Sequence, residues 1–182
     1  MDRAGAERLL HEYVTTGSLL IHSYATAAVM RKIAEHLGED AGTWEVIGLL
    51  HDIDYEVTEG DMTRHGREGY RILTESGLPE DQARVVMRHN HMLFGDYTAP
   101  VEIALQASDS VSGLVLACAL VKGGRIDDVT PKTVRKKFRE KAFAAGCERD
   151  RIRAVEPLMD LETLYRLAIE GLAEDRDRVG LA

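Results

Sequence analysis

The stretch Leu49-Leu50-His51-Asp52-Ile53-Asp54-Tyr55-Glu56, LLHDIDYE, sets a histidine and two aspartates directly behind an apolar run. Upstream, Trp44, Val46, Ile47, Leu49 and Leu50 read as a helix face meant for burial, with Thr43 as its N-cap. Titratable groups at the edge of such a face are costly unless something neutralises them. Two readings of His51 and Asp52 follow: they cap a helix end, or they hold a metal ion.

Working outward, the periodicity predicts helices on both sides. Ala4–Val14 has helical spacing and is broken by TTGS, and a long helix runs from Leu19 to a stop at Gly38. The segment DYEVTEGDMTR has no period and reads as a loop. Helices are predicted over Gly66–Ser76, from Pro79 to His89, and from Pro100 to the KGG stretch at Lys122–Gly124. Thr130 and Pro131 then open a helix over Lys132–Phe143, another covers Arg149–Val155, and a last one starts near Asp160. No segment alternates with a period of two. The expectation is an all-α, single-domain protein over residues 1–182, with a helical bundle core at about 19–121 and a C-terminal helical extension at 122–182.

The formal net charge of −8 argues against non-specific nucleic-acid binding, which needs clustered cations. Cys118 and Cys147 make no short metal-binding pair and read as reduced thiols. The charged N-terminus has no secretory character, and the apolar run VSGLVLACALV is too short to span a bilayer. A soluble, cytoplasmic protein with no membrane association is expected, its oligomeric state open.

Chemistry concentrates in the remaining histidines and carboxylates. His22 lies near the start of the second helix, His51 and Asp52 close the third, and His65 ends the loop. His89 and His91 end another helix, and Asp109 sits inside the long apolar one, among Ala104, Leu105, Ala107, Val111, Leu114 and Val115. A lone carboxylate there loses stability unless paired with a metal, a serine or a buried arginine. Together these residues favour the metal. Imidazole and carboxylate donors suit Fe, Mn, Zn, Ni or Co, whose bound water ionises near neutral pH.

The ordered set His22, His51-Asp52 and Asp109, within HSYATAAVMRKIAEHLGED, GLLHDIDYE and ALQASDSVSGL, resembles the HD-domain superfamily of metal-dependent phosphohydrolases. The likeness covers roughly Leu19–Leu120. The later TPKTVRKKFREKAFAAGCERDRI is similar to the tail of a subgroup of small HD hydrolases. The resemblance implies that His22, His51, Asp52 and Asp109 ligate metal. It further implies that His65, with His89 or His91, completes a second site, so that Asp52 bridges two ions and a hydroxide between them attacks phosphorus. His89 is preferred because it ends its helix in phase with Val85 and Val86. The implied cofactor is one or two divalent ions (Fe, Mn, Co, Ni, Zn or Mg), and the implied substrate a phosphorylated small molecule such as a nucleotide.

Asp54 has two readings: a catalytic-site group that orients a ligand histidine or water, or an ordinary loop aspartate. Arg64, beside His65, is a candidate for a substrate phosphate. Lys132, Arg135, Lys136 and Arg139 share a helix face that either approaches an anionic substrate or is simply solvated. Lys122 with its two glycines is either an anion-binding loop or a helix stop. Rival functions are a cyclic-nucleotide phosphodiesterase, although the GYP extension marking one such group is absent, a non-catalytic metal- and nucleotide-binding module, and a helical scaffold whose histidines only cap helices.

Overall fold

Asp2, Asp40, Thr130 and Asp160 each turn a side-chain oxygen onto the backbone N–H three residues ahead, and each opens a helix. Those N–H groups have no partner within the helix, so the cap supplies one. In the computed structural model, which describes residues 1–182, the four caps start α1 (Arg3–Tyr13), α3 (Ala41–Leu50), α7 (Pro131–Arg139) and α9 (Leu161–Glu174). The others are α2 (Gly17–Leu37), α4 (Arg67–Glu75), α5 (Glu80–Arg88), α6 (Pro100–Leu120) and α8 (Arg149–Arg153). There is no strand, and the fold is an all-α bundle.

Several boundaries differ from the sequence expectation: α2 begins at Gly17 rather than Leu19, α8 ends at Arg153 rather than Val155, and α3 and α7 depart for identifiable reasons. Thr43 does not cap α3; it donates its own N–H and hydroxyl to Asp40, so the helix starts at Ala41. The helix expected over Lys132–Phe143 ends at Arg139, and the chain continues in turns.

At the centre lies α6, packed against α2, α3, α5, α7, α8 and α9. By length and composition alone it would be apolar enough to cross a membrane, but 72% of its most apolar window is buried inside the protein. Its neighbour α2 presents the small residues Ala25, Thr26, Ala27 and Ala28, which let other helices approach closely. Gly48 of α3 uses this: a Cβ there would lie 3.0 Å from the Ala27 Cα and 2.9 Å from Met30. The extension joins the same core, since Leu164, Ala168 and Leu172 of α9 are fully buried and α9 packs on both α2 and α6.

At the end of α3, Leu49 and Leu50 are 1% and 0% exposed. Burial of each contributes roughly 1.5–3 kcal/mol and anchors the helix end that carries His51. The turns that follow are clamped by Glu56. Its carboxylate accepts the N–H groups of Thr15 and Thr16 and the Thr15 hydroxyl, tying this segment to the start of α2. The Thr16 N–H and the other donors lower the Glu56 pKa to about 2, from an ordinary value of 4.5. A carboxyl with a depressed folded pKa contributes stability above its unfolded pKa and loses it as pH falls towards the folded one. Glu56→Gln should therefore lower the melting temperature at neutral pH, and the gap to wild type should close between about pH 4.5 and 2. Thermal unfolding of both proteins across that range checks this; a gap independent of pH would mean that the charge is not what matters.

Candidate metal centre

His51 is the C-cap residue of α3, and its Nδ1 donates to the Gly48 carbonyl at 2.8 Å. Helix capping and site building are thus done by one ring, because the opposite nitrogen, Nε2, turns inward. The same device recurs at the end of α5, where His89 Nδ1 donates to the Val86 carbonyl and Nε2 points to the same place. A carbonyl only accepts, so Nδ1 carries the proton in both rings and Nε2 presents a lone pair.

His65 is held by a carboxylate instead. Asp54 is fully buried and accepts from His65 Nδ1 at 2.8 Å and from the N–H groups of Gly66 and Gly69 at 2.7 Å each. Gly66 has φ +83°, and a Cβ on it would sit 2.6 Å from the Met87 carbonyl oxygen, so the turn behind His65 requires glycine. Asn90, buried beside it, donates to the carbonyls of Met62 and His65 and fixes the loop from the α5 side.

All these rings converge on Asp52. Its Oδ2 is 3.6 Å from His22 Nε2 and 3.4 Å from His51 Nε2, while Oδ1 is 3.4 Å from His65 Nε2 and 3.1 Å from His89 Nε2. The imidazoles face each other in pairs, His22 with His51 at 3.1 Å and His65 with His89 at 3.0 Å between Nε2 atoms. Asp109 Oδ1 lies 3.2 Å from His22 Nε2. Lone pairs of neutral rings repel at such distances, so the arrangement calls for positive charge among them. Donors bound about 2.0–2.1 Å from one ion lie roughly 3.0 Å apart at a right angle and about 3.4 Å apart at the tetrahedral angle. His22–Asp52 at 3.6 Å lies slightly above this range, and the other spacings, from 3.0 to 3.4 Å, fall within it. Two donor groups, His22–His51–Asp52 and Asp52–His65–His89, therefore fit a metal each and share Asp52.

Electrostatics points the same way. Burial pushes the His51 pKa down to about 4, which keeps a lone pair available. Burial also opposes charge on His65, but its bonds to Asp52 and Asp54 outweigh this and push it up to about 9. Asp52 loses solvation, yet His51, His65 and His89 hold its carboxyl well below the usual range. Among protein atoms alone, protons on imidazole supply the charge that balances the carboxylates, and a divalent cation competes for that place.

The cluster opens into a cleft of about 320 Å³ lined by Asp52, Tyr55, His65, His89, Asp109 and Arg151, among others. Arg151 is the residue that sequence reasoning missed. Its Nη2 donates to Asp109 Oδ2 at 2.5 Å and its Nε to Gln106 at 2.8 Å. The requirement that Asp109 find a metal or a buried arginine was its only signal, and Asp109 has His22 on one oxygen and Arg151 on the other.

The structure thus brings together His22, His51, Asp52, His65, His89 and Asp109, with Asp54 behind His65. His91 lies on the cleft wall and pairs with Glu148 at 3.2 Å instead of joining the donor groups. Arg64 is exposed and lines no part of the cleft. Lys122, Lys132 and Lys136 line a separate depression beside α7, and Arg135 and Arg139 line another with Phe138 and Tyr165. The reason is reach: Lys122 lies past the end of α6, roughly 20 Å from Asp109 at the helical rise of about 1.5 Å per residue.

Comparison with known families gives a match to the HD domain over residues 19–115, more than half of the chain and a span holding every member of the cluster from His22 to Asp109. Among curated proteins no match is found.

Proposed function

The chain belongs to the HD-domain family, whose members are in general metal-dependent phosphohydrolases, and from that premise we propose that it hydrolyses a nucleotide-sized phosphate ester at a two-metal centre. The observation that carries this reading is the pair of donor groups sharing Asp52. His22, His51, Asp52 and Asp109 would hold one ion, and Asp52, His65 and His89 the other. Imidazole-rich donors favour Fe, Mn, Co, Ni or Zn over Mg. A bound divalent metal supplies positive charge for phosphoryl oxygens and lowers the pKa of the attacking water.

The chain's own residues do the rest. The carbonyls of Gly48 and Val86 and the carboxylate of Asp54 hold three rings in the tautomer that presents Nε2. Asp52, with one oxygen towards each donor pair, keeps both sites at fixed separation. Tyr55 and Met62 on the cleft wall give an apolar surface to the organic part of the ester. A nucleobase suits the exposed Tyr55 ring, which stands edge-on to His65.

Metal analysis of the purified protein, followed by chelation and reloading with single metals against a panel of phosphomonoesters and phosphodiesters, tests this. Turnover should vanish on chelation and return on reloading. His22→Ala and His65→Ala should each reduce bound metal from two equivalents towards one. Stoichiometric metal with no turnover on any phosphorylated compound would move the reading to a regulatory module.

A further inference from the structure

The cleft has one wall that the family match does not cover. Residues 140–148 follow α7 in turns and lead into α8, whose first residue, Arg149, clamps them by donating to the carbonyls of Phe138, Phe143, Ala144 and Cys147. The clamped segment puts Gly146, and α8 puts Arg151, into the cleft lining. Glu148 reaches across to His91 and closes that edge. The C-terminal extension is thus part of the site.

Arg151 is held in place by polar partners on two of its three nitrogens. Nε is spent on Gln106, which in turn donates to the His89 carbonyl, and Nη2 is spent on Asp109. Nη1 makes no hydrogen bond of its own: the bonds of Arg151 leave from Nε and Nη2, and Glu148 approaches Nη1 only to 4.0 Å. A guanidinium whose other two nitrogens are pinned, and which lines a cleft beside a metal cluster, is preorganised for an anion.

We propose that Arg151 is the phosphate-binding residue of this cleft and that the substrate class is a terminal phosphomonoester. The inference rests on the phosphohydrolase reading. A monoester carries three non-bridging oxygens and close to two negative charges. Two of those oxygens serve the cluster around Asp52, and the third meets Nη1 of Arg151. A diester has only two such oxygens, so it cannot serve both the cluster and Nη1 of Arg151 in this way, and its second ester arm would have to find room beside the His91–Glu148 pair.

The test uses metal-loaded wild type, Arg151→Gln and Arg151→Lys, with inorganic phosphate as the binding probe in calorimetry. Arg151→Gln should weaken phosphate binding at least about tenfold, with bound metal unchanged. Wild type should prefer 4-nitrophenyl phosphate to bis(4-nitrophenyl) phosphate, and the variant should narrow that preference through KM. Arg151→Lys keeps a charge for Asp109 and covers the case in which the glutamine variant fails to fold. A compact ammonium cannot serve Asp109, Gln106 and phosphate together, so it should still lose affinity several-fold. Unchanged phosphate affinity with reduced metal content would overturn the proposal and leave Arg151 as a support for Asp109. A preference for the diester would overturn the substrate class. Arg151-dependent phosphate binding without turnover would support this site while sinking the hydrolase reading.

Discussion

Asp52→Ala should abolish both metal binding and turnover, lowering kcat/KM by roughly 10³-fold or more, since metal stabilisation of a phosphoryl transition state is worth several kcal/mol. No other side chain in the molecule stands against four imidazoles at once, His22 and His51 through one oxygen and His65 and His89 through the other. Removing it deletes a donor from each group together and leaves the facing rings without the carboxylate that balances them. The two sites should consequently be lost in a single substitution, whereas His22→Ala and His65→Ala divide the loss between them. Metal content by elemental analysis, beside activity on the best substrate, reads both effects. If the wild type holds no metal and Asp52→Ala costs nothing but stability, the histidines do nothing but cap helices, and LLHDIDYE is a helix end.

Much of this centre was legible because its parts are local. His51 and His89 each close a helix, and helix ends announce themselves by the loss of apolar period after Leu50 and after Val86. Asp109 stood out because a carboxylate inside an apolar stretch needs a partner. What sequence could not resolve depends on pairing across long separations. Arg151 lies 42 residues from Asp109, and a five-residue helix of alternating charge carries no mark of the side it buries. The choice between His89 and His91 turns on where α5 stops: His89 still has the Val86 carbonyl within reach, while Asn90 turns inward and sends His91 to Glu148. The basic face of α7 is real as a helical face, but Val134 and Phe138 bury the helix away from the cluster, so its cations look onto other depressions.

Asp54 separates fold from chemistry, and two substitutions should pull them apart. Asp54→Ala removes the acceptor for His65 Nδ1 and for two buried N–H groups, those of Gly66 and Gly69. Each orphaned buried donor costs about 1–3 kcal/mol, so a loss of roughly 3–5 kcal/mol in unfolding free energy is expected. Asp54→Asn keeps the shape. Both N–H groups meet the same carboxylate oxygen, Oδ2, so the amide oxygen of the asparagine must take that position. Its NH₂ then faces His65 Nδ1, where a donor already sits. The conflict resolves if His65 gives up the Nδ1 proton and takes one on Nε2, which removes the lone pair that faces Asp52 and His89. Asp54→Asn should therefore stay folded with a modest loss of stability, yet bind the second metal 10–100-fold more weakly, by roughly the amount that lost ligand orientation costs. Thermal unfolding and metal titration on both variants distinguish these outcomes. Undiminished affinity for both metals in Asp54→Asn would mean that the tautomer of His65 is not set by Asp54, and that the buried carboxylate serves the turn at Gly66 alone.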